Sequence, residues 1–156
     1  MKLNTKSRYA VMAMIDLAQQ SDKEVGKTCV PLSLIAQRQD LPLQYLEQLF
    51  AKLRKCELVK SARGTNGGYE LAKSANEISI YDIIVAADEP VKVTRCSYGE
   101  TKGCHKDSKR CNAHQLWHEM EHVMHDYLVQ ISLHDVISGK KRFPIVVLNN
   151  NDGKNL

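Results

Sequence analysis

No apolar run in the 156 residues approaches the roughly 20 that a membrane-spanning helix needs, so no membrane partner is expected. The opening stretch, residues 1–14, has no signal-peptide core and no small-residue cleavage site. The expectation is a cytoplasmic protein. No nucleophile–base arrangement and no phosphate-cradling glycine loop stands out, so an enzyme is not expected. There is no internal repeat. The cysteines form no C-x-x-C pair, the usual mark of a zinc ribbon. Charge of neither sign dominates, with 22 Lys and Arg against 18 Asp and Glu.

What is present is unevenly placed. The hydrophobic fraction of 43% is enough for a core. Residues 1–80 hold 12 basic against 8 acidic side chains, whereas residues 81–156 hold 10 of each. The net charge of +4 therefore sits in the N-terminal half. That suits a nucleic-acid partner or simple solubility. Five cysteines are an odd number, and three fall between positions 96 and 111. In a reducing compartment such a cluster points to a metal before a disulfide. Cys29 and Cys56 stand apart and are read as packing or surface residues.

Periodicity predicts a mainly α chain with a small β-wing. Residues 7–20 read as a helix with Val11, Met14, Ile15 and Ala18 on one face. Residues 32–39 read as a short helix with Ser33 a candidate N-cap. Asp40-Leu41-Pro42 breaks it, because proline restricts the residue before it. Residues 43–56 form the clearest helix. Leu46, Leu49, Phe50 and Leu53 make its buried face, and Tyr45, Gln48, Lys52 and Lys55 lie on an exposed one. Strands are predicted at 58–62 and 69–72, joined by Arg63-Gly64-Thr65-Asn66-Gly67-Gly68, whose glycines suit a tight hairpin. Short helix, turn, longer helix, hairpin is the order of a winged helix-turn-helix. Ser79 is predicted to cap a further helix over 80–88. Pro90 opens a loop of about twenty residues, a length that suggests function. A long helix over 112–131, with a continuation toward residue 137, is predicted with Asn112 as its cap. Its stripe of Leu116, Trp117, Met120, Val123, Met124, Tyr127, Leu128 and Ile131 needs a cover. A second copy of the chain is favoured over packing back on the same domain. The expected organisation is a DNA-binding domain over 1–90, a metal loop over 91–111, a dimerisation helix over 112–137 and a disordered tail over 138–156.

In a helix-turn-helix the second helix enters the major groove of double-stranded DNA. That offers Gln44, Tyr45, Glu47 and Gln48 to base edges, with Gln suited to adenine and Glu to cytosine. Lys52 and Lys55 suit phosphates, Arg63 a minor groove, and Lys2, Lys6 and Arg8 the backbone. Each is also an ordinary solvated residue, and the combination with the wing is what favours DNA.

The cysteines are spaced C-x7-C-x6-C, and His114 follows Cys111 by three. Thiolates are soft ligands that favour iron–sulfur clusters and zinc. Cys96, Cys104, Cys111 and His114 make a four-ligand set, which suits two irons or one zinc ion. A thiol redox switch is the other reading. Six basic residues between 92 and 110 face two acidic ones and would lower the thiol pKa values. His105 is a weaker alternative ligand. His114, His118, His122 and His125 form a helical stripe, read as a polar face before a metal site.

These motifs resemble the IscR-type iron–sulfur cluster regulators with winged helices. The resemblance covers residues 1–137. It rests on MKLNTKSRYAVMAMIDLA, PLSLIAQRQDLPLQYLEQLFAKLRK, VKSARGTNGGYELAK and the cysteine triplet with CNAHQLW. It implies a homodimer with one 2Fe–2S cluster per subunit, held by Cys96, Cys104, Cys111 and His114. It implies DNA contacts by Tyr45, Glu47, Gln48, Ser61, Arg63 and Gly64. Glu47 is implied to discriminate between promoter classes, and the loaded protein to repress cluster-assembly genes. Two departures stand out. The cysteine gaps are longer than the family's usual ones. The nitric-oxide-sensing relatives carry an acidic ligand near position 8, where this chain has Arg8, which argues against their four-iron cluster.

Overall fold

The computed structural model describes residues 5–21, 29–65, 67–88, 91–92 and 109–139. Four helices and a hairpin come first: α1 (Thr5–Ser21), α2 (Leu32–Gln39), α3 (Leu43–Lys55), β1 (Val59–Ala62), β2 (Gly68–Leu71) and α4 (Ile80–Ala86). Two helices follow the cysteine-bearing segment, α5 (His114–Gln130) and α6 (Leu133–Ile137). The result is a mainly α winged helix with a two-stranded antiparallel sheet.

Helix α1 is the hub. It packs on α2, α3, α4, α6 and β2. Its alanines, Ala10, Ala13 and Ala18, let those elements approach closely, while Met14 and Leu17 fill the centre with Phe50, Ile35, Leu46, Leu53, Ile83 and Leu133. One charge lies in this interior. Asp16 is 3% exposed. Arg38 grips it through Nε and Nη2, and Gln39 donates to it at 2.8 Å. A buried carboxylate is tolerable only when so satisfied, and the arrangement locks the end of α2 onto α1.

The turn between α2 and α3 runs through Asp40 at φ 52, and the Leu41 N–H bonds back to Ala36. Pro42 then takes the N-cap position of α3, as Pro31 does for α2. Ser33 is therefore the second residue inside α2 and makes no cap. The preset φ of proline, −61° at Pro31, puts the cap two residues earlier. The predicted buried face of α3 is the observed one: Leu46, Leu49, Phe50 and Leu53. Tyr45 differs from expectation. It is half-buried, its ring meeting Tyr9 edge to face at 5.7 Å.

In the hairpin, Val59 pairs with Leu71 and Ala62 with Gly68. Val30 adds a bridge on the far side of β2, exchanging two backbone bonds with Tyr69. Gly68 makes that approach possible, since a Cβ there would lie 2.5 Å from the Val30 carbonyl.

Ser79 caps α4 as predicted, in a reciprocal capping box with Asp82. The long C-terminal helix is shorter than expected. Asn112 lies in the preceding turn, Ala113 is the N-cap, and the His114 N–H closes the turn on the Cys111 carbonyl. The helix ends at Ile131, whose backbone is extended at ψ 115 because its carbonyl bonds to the Ile80 N–H. Ser132 then starts α6 with a second capping box, to Asp135. Ile131 and Leu133 join the same core as α1. The remaining apolar positions of α5 are covered little, with Leu116 58% exposed. The tail beyond residue 139 lies outside the described residues.

Candidate nucleic-acid interface and metal segment

The burial of α3 on one side leaves a continuous outward stripe of Gln44, Glu47, Gln48, Ala51, Arg54 and Lys55. Glu47 and Gln48 are thus side by side at its middle. Lys52 flanks the stripe and is half-exposed. Its Nζ lies 2.6 Å from Asp88 Oδ2, just beyond the end of α4. Tyr45 sits between the stripe and α1, oriented by Tyr9. On α1, Arg8 is exposed and Lys6 half-buried. Lys2 lies outside the described residues.

The wing stands next to the end of α3. Arg54 Nη1 donates to Ser61 Oγ at 3.2 Å and ties helix to strand. Between them is an open groove of about 630 Å³, lined among others by Arg54, Glu57, Lys60, Ser61 and Lys73. Three cations against one anion give it a positive field. Arg54, Lys60 and Lys73 were not among the residues singled out from sequence. For Arg54 and Lys60 the signal was the basic density around residues 52–60; Lys73 joins them only once the hairpin is folded back. Arg63 and Gly64 lie at the exposed hairpin tip, Gly64 at φ 110, a backbone that side chains disfavour.

The carboxyl of Asp88 is held below the ordinary aspartate range. The hydrogen bond from Lys52 is the main cause, then the Lys52 charge, with smaller pulls from Lys6 and Lys55. One acidic group therefore sits in the field of three lysines of the basic face.

Of the four candidate metal ligands, Cys111 and His114 are described, and Cys96 and Cys104 lie outside the described residues, as does His105. Cys111 is a half-buried free thiol immediately before the turn that opens α5. His114 is the first residue of that helix, and its backbone N–H bonds to the Cys111 carbonyl at 2.9 Å. That turn places the two candidate donors three residues apart at the helix start. The His118 ring stacks on His114 at 6.4 Å. Further along, His122 and His125 each place Nδ1 within 3.0 Å of Asp126, at 3.0 and 2.9 Å. Those imidazoles donate to a carboxylate. Among the described residues no three His, Cys, Asp or Glu side chains gather for a metal ion. No helix among them is long and apolar enough to cross a membrane.

Comparison with known proteins agrees with this architecture. The family model described as an iron-dependent transcriptional regulator, Rrf2, matches residues 3–139. The HTH-type transcriptional regulator IscR of Sodalis glossinidius is 42% identical over 152 residues, 97% of this chain and 88% of that protein. The IscR of Vibrio vulnificus is 46% identical over 138 residues, covering 88% and 78%. Among solved structures, T. potens IscR superposes with a TM-score of 0.68 at 34% identity, covering 89% of this chain and 88% of that one. CymR, the global cysteine regulator of B. subtilis, gives 0.70 at 32% identity, covering 89% and 98%. The two curated relatives are named as transcriptional regulators, and CymR as a global cysteine regulator, not as enzymes. The chain belongs to the Rrf2 family of iron-dependent transcriptional regulators, whose winged helix binds DNA.

Proposed function

We propose that this protein is an iron–sulfur cluster-responsive transcription regulator of the cytoplasm. It binds double-stranded DNA as a homodimer and represses cluster-assembly genes when loaded. The observation that carries the reading is one chain with two parts. A polar recognition stripe and basic wing stand at one end, and a Cys111–His114 turn opens the long helix that leaves it.

The donor set fits a 2Fe–2S cluster, one per subunit. Cys111 is reduced and partly shielded, and His114 is held one turn away. With Cys96 and Cys104 they supply three soft thiolates and an imidazole, two terminal ligands for each iron. The cluster would supply a charge and a cross-link that depend on iron supply and redox state. The chain's own residues would do the reading. Gln48 and Glu47 meet base edges, Tyr45 braces them against α1, and Lys6, Arg8 and Lys52 meet phosphates. Ser61, Arg63 and Gly64 carry the wing against the duplex. Glu47, central in the stripe, would reject bases that offer an acceptor, so Glu47→Ala should broaden the range of promoters bound by the cluster-free protein.

Anaerobic purification tests the reading. The expected product is coloured, absorbs in the visible and holds about two irons per subunit. A colourless protein with one zinc per chain would instead make it a zinc- or thiol-responsive regulator with the same DNA module.

A further inference from the structure

Lys52 flanks the recognition stripe, yet it already faces an anion of its own chain. The Asp88 carboxylate lies 2.6 Å from its Nζ, and the side chains are 70% and 36% exposed for Asp88 and Lys52. The pair is therefore not a packing requirement. Asp88 also sits at φ 60, a left-handed backbone that an aspartate adopts only at some cost. That conformation, at the end of α4, turns its side chain toward α3 instead of continuing the helix. Lys6 and Lys55 act on the same carboxylate. Three lysines that would meet DNA phosphates share one internal negative charge.

We propose that Asp88 is an internal competitor for DNA phosphate, occupying Lys52 in the free protein and lowering the affinity of the recognition face for any duplex. This rests on the assignment of α3 to the DNA. An exposed ion pair is weak, so a phosphate can displace it. The competitor lies at the point where the chain leaves α4 toward the cysteine segment, eight residues before Cys96.

Log affinity falls with log salt in proportion to the phosphates that a protein neutralises, with a slope of about −0.9 each. Asp88→Asn keeps the shape and tolerates the left-handed backbone while removing the charge. The full chain and this variant are titrated with a fluorescent duplex of random sequence between about 50 and 200 mM salt. The variant should bind several-fold more tightly at the low end, and its salt slope should steepen by about one. Glu119→Gln, the same charge change on exposed α5, should alter neither. In a Lys52→Gln background the Asp88→Asn gain should vanish. A gain that persists there overturns competition for Lys52, leaving plain repulsion. Equal affinity and slope in wild type and Asp88→Asn overturn the inference while the DNA assignment stands. Failure of the wild type to bind at low salt overturns both. Melting of each variant, followed by circular dichroism, shows that the differences come from folded protein.

Discussion

Helices α1 and α5 are each 17 residues long. The first buries seven of its residues, and the second buries one, Glu121. Their apolar content does not explain the gap, for α5 carries Leu116, Trp117, Met120, Val123, Met124 and Leu128. The difference is in what surrounds them. Among the described residues, five elements converge on α1, whereas α5 has α4 as its one substantial neighbour. One helix is covered on several sides from within the described chain, and the other is left half-covered. Leu116 and Met120, one turn apart on the same face of α5, are each more than a third exposed.

The contrast can be attacked from both sides. The largest effect should come from the inner helix bundle. Phe50→Ala, at a fully buried site, should cost about 3–5 kcal/mol of unfolding free energy in urea titrations. Asp16→Ala removes the carboxylate that fastens Arg38 and Gln39 to α1; Arg38 keeps its own access to water, so the cost should be smaller, about 1.5–3 kcal/mol. Next comes the outer face. Leu116→Asp with Met120→Asp should leave folding of the single chain nearly unchanged but weaken self-association by about tenfold or more, seen in sedimentation equilibrium. An unaltered mass at micromolar concentration would mean that α5 is not the dimer face. The hinge between the two regions should respond less. Ser132→Ala removes a cap and should cost about 1 kcal/mol, and Ser79→Ala a similar amount, in thermal melts.

The smallest effect is a pH dependence on α5. The carboxyl of Asp126 lies below its ordinary range, chiefly through the hydrogen bond from His125, with weaker help from His122. A lowered acid pKa means that the folded state binds fewer protons, so its stabilisation is present above the ordinary aspartate value of 3.8. It disappears as the pH falls through the lower folded value. The melting difference between wild type and Asp126→Asn should therefore shrink as pH drops from about 5 to about 3. A difference that grows on acidification would show that the carboxylate holds the helix by something other than its charge.

What could be read from the residues alone follows the same division. The buried face of α3 was legible because Leu46, Leu49, Phe50 and Leu53 repeat at the helical period. The hairpin was legible from its glycines, and the cap at Ser79 from its place before an apolar run. Starts at Ser33 and Asn112 were misread for physical reasons. Pro31 preempted the first, and the turn closing on Cys111 displaced the second. The stop at Ile131 was illegible, because it is made by a backbone bond to Ile80, fifty-one positions away. Its one local hint was Ser132 followed three residues later by Asp135, the spacing of a capping box. The Asp16–Arg38 lock and the Lys52–Asp88 pair have no periodic signature either, since each joins side chains whose neighbourhood the fold creates. For the metal segment the structure adds the Cys111–His114 turn to what spacing could suggest.

Ile131 and Leu133 are 4% and 0% exposed, set in a core whose other members come from residues 10–87. During synthesis, the chain emerges from the ribosome in order. The recognition helix and the wing are out long before the residues that seal the interior behind them. Everything between, including Cys96, Cys104, Cys111 and His114, must also have emerged by then. The DNA-reading unit therefore completes its interior only after every candidate metal ligand is already free of the translating machinery. A nascent chain stalled short of Leu133 would be left with an unsealed hydrophobic face beneath α1.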